Sequence, residues 1–177
     1  MRLTLPTWVD DIDEAVDEQW ETIRGIPAVD RVFYAASAAG DFSVIWHAIN
    51  LIRLASAPHD RYRFVRLAAA LGVESVLINQ GVKRLFERDR PEDAQERPHH
   101  LRSPTTSSFP SGHASSAAMA ALLLSERSRF GPLYGAIAAV VATSRLHVRI
   151  HHASDVVAGA LLGAVGAVLW KRVWPLR

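Results

Sequence analysis

The chain has no cysteine, which excludes disulfides, thiolate metal sites and a cysteine nucleophile. Neither sign of charge dominates: 20 Lys+Arg stand against 18 Asp+Glu. No basic tract of the kind that tracks a nucleic-acid backbone stands out, so nucleic acid is not expected as a partner. The opening stretch MRLTLPTWVDDIDEAVDEQW is acidic and lacks an apolar core, so no signal peptide is expected. No segment shows the strict apolar–polar alternation of a half-buried strand, and no internal repeat is visible.

The 177 residues suffice for one domain with a sizeable core, taken as residues 1–177. Hydrophobic residues make up 49% and mean hydropathy is +0.07, which is apolar for a soluble protein and polar for an integral membrane protein. Residues 7–24 read as an amphipathic acidic helix: Trp8, Val9, Ile12, Val16, Trp20 and Ile23 recur at helical spacing, and Gly25 and Pro27 mark its end. Residues 1–40 as a whole form an amphipathic acidic N-terminal segment.

Five apolar segments follow, at 42–57, 64–82, 113–125, 132–143 and 153–170. All are rich in Ala, Leu and Val, which predicts helices. A bilayer span needs about 20 largely apolar residues. The last segment comes near that length, and the third and fourth reach it only with their flanks. The first carries His47, Asn50 and Arg53. The fold expected is all-α: an antiparallel bundle of five to six mainly transmembrane helices. Gly159 and Gly163 form a GxxxG pair that permits close helix packing. Residues 88–110 are polar and proline-rich and read as one long exposed loop.

Three motifs carry candidate chemistry. In the first, Lys83 and Arg90 lie seven apart, two turns of a helix, so both can project from one face before Pro91 stops it. Alone, this is an ordinary basic helix end. In the second, Pro110-Ser111-Gly112-His113 opens an apolar helix. Ser111 is a plausible N-cap, Gly112 lets backbone N–H groups come close to a ligand, and a helix N-terminus attracts phosphate. His113 beside it could protonate a departing oxygen. Alone, this is a capped helix start with an incidental histidine. In the third, Ser144-Arg145 is followed by His151 and Asp155. The last two are i, i+4, and a carboxylate on one imidazole nitrogen raises the nucleophilicity of the other. The ordinary alternative is an aspartate complementing a helix dipole.

The placement ties these motifs together. Lys83 and Arg90 follow the second apolar segment, Ser111 to His113 open the third, Ser144-Arg145 close the fourth, and His151 and Asp155 open the fifth. If consecutive helices run antiparallel, all four ends share one pole. There a lysine, two arginines, a capped N-terminus and two histidines would enclose a tetrahedral oxyanion.

At this point the chain resembles the type 2 phosphatidic acid phosphatase family, whose superfamily includes vanadium haloperoxidases and bacterial acid phosphatases. Its signature of Lys-x6-Arg-Pro, Pro-Ser-Gly-His and Ser-Arg-x5-His-x3-Asp is matched at Lys83 to Pro91, Pro110 to His113, and Ser144 to Asp155. The matched stretch is residues 83–155; residues 1–40 add nothing to it. The resemblance implies a metal-independent phosphatase with no cofactor. His151 would attack phosphorus to form a phosphohistidine, Asp155 would orient it, and His113 would protonate the leaving group. Lys83, Arg90, Ser111, Gly112 and Arg145 would bind the phosphate. Arg84, Arg88, His147, Arg149 and His152 fall outside the matched positions and read as structural neighbours.

Resemblance and apolar helices together imply a multi-pass cell-membrane protein. Its substrate would be an amphipathic phosphate at the bilayer surface, such as a polyprenyl phosphate or diphosphate or a phosphatidate-like lipid. Arg53, Arg61, Arg63, Arg66, Arg127, Arg129, Lys171, Arg172 and Arg177 would lie at the pole opposite the site. That excess favours a cytoplasmic far pole and an active site on the outer face. Three alternatives are a soluble acid phosphatase, a vanadium haloperoxidase and a non-catalytic lipid-binding protein. A homo-oligomer is left open.

Overall fold

A computed structural model describes residues 3–91 and 106–176. The described residues form seven α-helices and no sheet; the one β-type pairing is an isolated bridge between Leu3 and Phe86. The acidic stretch forms α1 (Thr7–Glu21). Next comes α2 (Pro27–Gly40), with Pro27 in its first turn, where its lack of an N–H does no harm. The sequence reading passed over α2, because its small Ala and Ser residues form no long apolar run. Then follow α3 (Val44–Ser56), α4 (Arg61–Val76), α5 (Gly112–Leu124), α6 (Gly131–His147) and α7 (Ala153–Val173).

The apolar segment at 64–82 does not stay α-helical. After Val76 the backbone widens into a π-turn, Leu77–Gly81, then tightens into a 3-10 turn, Val82–Leu85. Asn79 and Gly81 are poor helix formers, and the chain beyond them is captured by the N-terminal strand-like residue. The Leu3 N–H donates to the Leu85 carbonyl at 2.8 Å, and the Glu87 N–H donates to the Leu3 carbonyl at 3.2 Å. Lys83 and Arg90 therefore do not project from one helical face. Residues 92–105 of the polar loop lie outside the described residues, as does Arg177, which was expected at the far pole.

The core surrounds α5, which packs against α7, α6 and α4. Trp46, Leu67, Leu71, Ala117, Ala120, Leu124 and Val141 are among its buried members. The GxxxG pair sits where α5 and α7 meet. A Cβ on Gly159 would overlap the Ser111 carbonyl, and one on Gly163 would overlap the Ser115 carbonyl, so only glycine admits this approach. At the far pole, buried Arg66 joins three helices. It donates to Glu126 at 2.6 Å and to the Trp174 carbonyl at 2.5 Å. Arg66 is thus tied within the bundle.

One described helix, Ala153–Val173, is long and apolar enough to cross a bilayer. Just 28% of its apolar window is buried, and Val157, Leu161, Val165 and Val168 are exposed. It is not the enclosed core helix of a soluble bundle.

Candidate active site

The four chain ends that carry the motifs meet at one pole. The Ser111 N–H donates to the Asp155 carbonyl at 2.9 Å, joining the start of α5 to the first turn of α7. The Ser111 hydroxyl accepts from the Ala114 N–H at 3.4 Å, as an N-cap does. Around Gly112 the protein leaves room: an added Cβ would meet no neighbour closer than Asn79 Oδ1 at 3.5 Å.

His151 lies ahead of α7 rather than within it, since the helix begins at Ala153 with His152 as its N-cap. The expected i, i+4 helical pairing therefore does not exist as such, yet the contact forms. His151 Nδ1 is 3.4 Å from Asp155 Oδ2, and the same oxygen accepts the His152 N–H at 2.9 Å. Asp155 is fully buried and His151 nearly so. Burial pushes the His151 imidazole down to about 3, against the pull of Asp155, and the Arg145 and Lys83 charges lower it further. The ring is neutral at neutral pH, with its lone pair available.

The cations arrive by different routes. Lys83, in the 3-10 turn, is buried, and its Nζ is 3.4 Å from the Ser107 carbonyl. Burial pushes its ammonium down to about 8, with Arg90 and Arg145 adding repulsion and Asp155 opposing them. Arg90, in extended chain, donates to the Ile150 carbonyl at 2.8 Å and to the Thr106 carbonyl at 3.0 Å. That places its guanidinium beside the residue preceding His151. Arg145, near the end of α6, is buried and donates to the Ser37 hydroxyl. His113 Nε2 is 3.2 Å from the Ser37 carbonyl and 3.2 Å from Asp41 Oδ1. His151 lines a cavity of about 540 Å³ edged by α1 carboxylates. Lys83 and Arg90 line another of about 670 Å³.

Several residues here were invisible to motif reading. Ser37 of α2 holds both Arg145 and His113. Asp13 of α1 is buried and accepts from the Ser154 N–H at 2.7 Å and from Arg88 at 2.6 Å. A signal existed for Asp13: it falls within the helical stripe of Val9, Val16 and Trp20, where a carboxylate is unfavourable unless paired. Of the residues set aside as structural neighbours, Arg84 bonds Gln80, Arg149 bonds Glu21, and His147 packs among Trp20, Phe33 and Asp30. His152 is 3.3 Å from the Asp89 carbonyl. Arg88 differs from these, because it donates to Asp155 Oδ1 at 2.8 Å.

Known proteins resemble this chain in sequence and in fold. A decaprenylphosphoryl-5-phosphoribose phosphatase of Mycobacterium tuberculosis is 33% identical over 147 residues, covering 80% of this chain and 81% of that protein. The crystal structure of a transmembrane PAP2-type phosphatidylglycerolphosphate phosphatase from Bacillus subtilis matches with a TM-score of 0.73 at 26% identity, over 95% of this chain and 87% of that one. LpxE of Aquifex aeolicus matches in fold, with a TM-score of 0.70 at 24% identity, over 89% and 93% of the two chains. The model of the PAP2 superfamily matches residues 63–177, and the chain belongs to that superfamily.

Proposed function

We propose that the chain hydrolyses a lipid phosphate or diphosphate at the bilayer surface through a phosphohistidine on His151. The observation that carries this is the His151–Asp155 pair: Nδ1 is engaged by the carboxylate at 3.4 Å, so Nε2 is the nitrogen that attacks. In the first step the Nε2–P bond forms as the bond from phosphorus to the leaving oxygen breaks. His113 gives that oxygen a proton. Its Nε2 faces the Ser37 carbonyl and Asp41, so Nδ1 carries the transferred proton; burial holds this imidazole below its ordinary pKa, and Asp41 pulls against that. In the second step His113 takes a proton from water, the water oxygen bonds phosphorus, and the N–P bond breaks to release orthophosphate. Lys83, Arg90 and Arg145, with the Ser111 hydroxyl and the Gly112 N–H, hold the phosphate oxygens. Their charge stabilises the transition state, and losing one such donor typically costs ~10²–10³ in rate.

The substrate class follows from the relatives and the apolar surface. The M. tuberculosis relative is named for a phosphate on a decaprenyl-linked sugar and the B. subtilis neighbour for a phosphatidylglycerol phosphate. Both are amphipathic phosphates. A polyprenyl-linked phosphate or diphosphate or a phosphatidate-like lipid suits a site at the pole of a membrane bundle. In this reading residues 1–177 act as one unit. The chain is multi-pass, with Arg61, Arg63, Lys171 and Arg172 on the cytoplasmic side and the site on the outer face.

The test is phosphate release from a panel of lipid phosphates in EDTA, comparing wild type with His151→Ala. Turnover unaffected by EDTA and absent in the variant is the expected result. Full activity in His151→Ala, or loss in EDTA restored by a divalent ion, would overturn it.

A further inference from the structure

Asp155 presents two carboxylate oxygens, and each has its own partners. Oδ2 faces His151 Nδ1 at 3.4 Å and accepts the His152 N–H at 2.9 Å. Oδ1 accepts from Arg88 Nη1 at 2.8 Å. The other branch of the same guanidinium, Nη2, donates to Asp13 Oδ2 at 2.6 Å and to Asp10 Oδ1 at 2.9 Å. The Arg88 side chain is 10% exposed, that of Asp13 3% and that of Asp155 0%. Asp13 also accepts the N–H and hydroxyl of Ser154, next to Asp155, at 2.7 and 2.6 Å.

We infer that Arg88 is a positioning residue for the reaction: its forked guanidinium, held by Asp13 of α1, fixes the plane of the Asp155 carboxylate and through it the aim of His151. This rests on the proposed role of His151. A carboxylate held on one oxygen alone can swivel about its last torsion, and the imidazole contact at 3.4 Å is already long. Arg88 removes that freedom because its second branch is anchored on Asp13 and Asp10 of α1. The same helix is followed by Arg24, which donates to the Leu146 and His147 carbonyls at 2.9 and 3.2 Å. The acidic N-terminal segment, α1 with the turn after it, therefore grips both sides of the loop that carries His151.

A lysine at position 88 would keep the charge but could not reach Asp155 and Asp13 in two separate directions. That separates a geometric role from a purely electrostatic one. The experiment uses the full chain with Arg88→Gln, Arg88→Lys, Asp13→Asn, the Arg88→Gln/Asp13→Asn double variant and His151→Ala. It measures kcat and the inhibition constant of orthophosphate.

Supporting groups of this kind typically change activity ~10–100-fold, and that loss of kcat is expected in Arg88→Gln. Orthophosphate should still bind within about twofold of wild type, because the cations that hold it are untouched. Arg88→Lys should recover little, and the double variant should be no worse than Arg88→Gln alone, since the two act as one unit. Wild-type kcat in Arg88→Gln, restoration by lysine, additive losses, or a parallel fall in orthophosphate affinity would each overturn the assignment. Turnover surviving in His151→Ala would instead sink the reading beneath it, whereas an inactive His151→Ala beside an unaffected Arg88→Gln sinks this inference alone.

Discussion

In the proposed reaction Lys83 gives the bound phosphate a charge that burial makes conditional. Its ammonium has been pushed from the usual 10.5 down to about 8, mainly by loss of water and also by Arg90 and Arg145. The free enzyme should therefore lose this cation as pH rises through 8. At pH 9 only about a tenth of the molecules would retain it, which predicts roughly tenfold weaker orthophosphate inhibition than at pH 7. Bound phosphate is an anion beside the ammonium and stabilises the proton, so the loss should show in kcat/KM and much less in kcat. An arginine at this position stays protonated throughout the range.

Lys83→Arg is therefore expected to flatten the profile between pH 7.5 and 9.5, even if crowding lowers its absolute activity. The comparison is between pH values within each variant, so a uniform packing defect cancels. A limb near pH 8 that persists in Lys83→Arg, or a wild-type profile flat to pH 9.5, would refute the reasoning. Stability should run the other way. The folded pKa is below the unfolded one, so the unfolded state binds more protons between pH 8 and 10.5, and rising pH favours folding through this group.

Two further outcomes follow from close contacts. A Cβ on Gly40 would lie 2.5 Å from His113 Cδ2 and 3.0 Å from Val141 Cγ1, so Gly40→Ala must displace the imidazole. Turnover should fall by roughly 10²-fold, the usual worth of a general acid, and wild-type kcat in that variant would contradict the role given to His113. At the far pole, Glu126→Ala would leave the buried Arg66 guanidinium without its 2.6 Å partner. Thermal unfolding in detergent should show a loss of roughly 2–4 kcal/mol with kcat retained in the folded fraction; an unchanged melting temperature would count against the pair.

The sequence disclosed which motifs come together better than the geometry in which they meet. Spacing placed Lys83 and Arg90 on one helical face, and it treated His151 and Asp155 as a pair within one helix. Neither picture holds. The chain leaves α-helical geometry after Val76, and α7 starts only at Ala153. The motifs still converge, because bundle topology brings the four ends together whatever local path each takes. A residue's partners across space leave no periodic trace in sequence. That is why Ser37 and Asp41 went unnoticed, and why Arg88 read as a bystander despite reaching Asp155.

The N-terminal segment shows where motif reading stops. Residues 1–40 add nothing to the signature, yet α1 and α2 supply Asp13 and Ser37, both buried. Ser37 joins Arg145 to His113, and Asp13 joins Arg88 to the start of α7. In the proposed reaction the signature residues are the ones whose own chemistry is used, so one residue type cannot stand in for another there. The groups that hold them need only offer an oxygen at the right place, and a serine or aspartate from any neighbouring element can do that. The chemistry is therefore legible as a motif, and its support is legible only as structure. A buried carboxylate such as Asp13, set in an otherwise apolar helical stripe, is the one trace that the support leaves in the sequence.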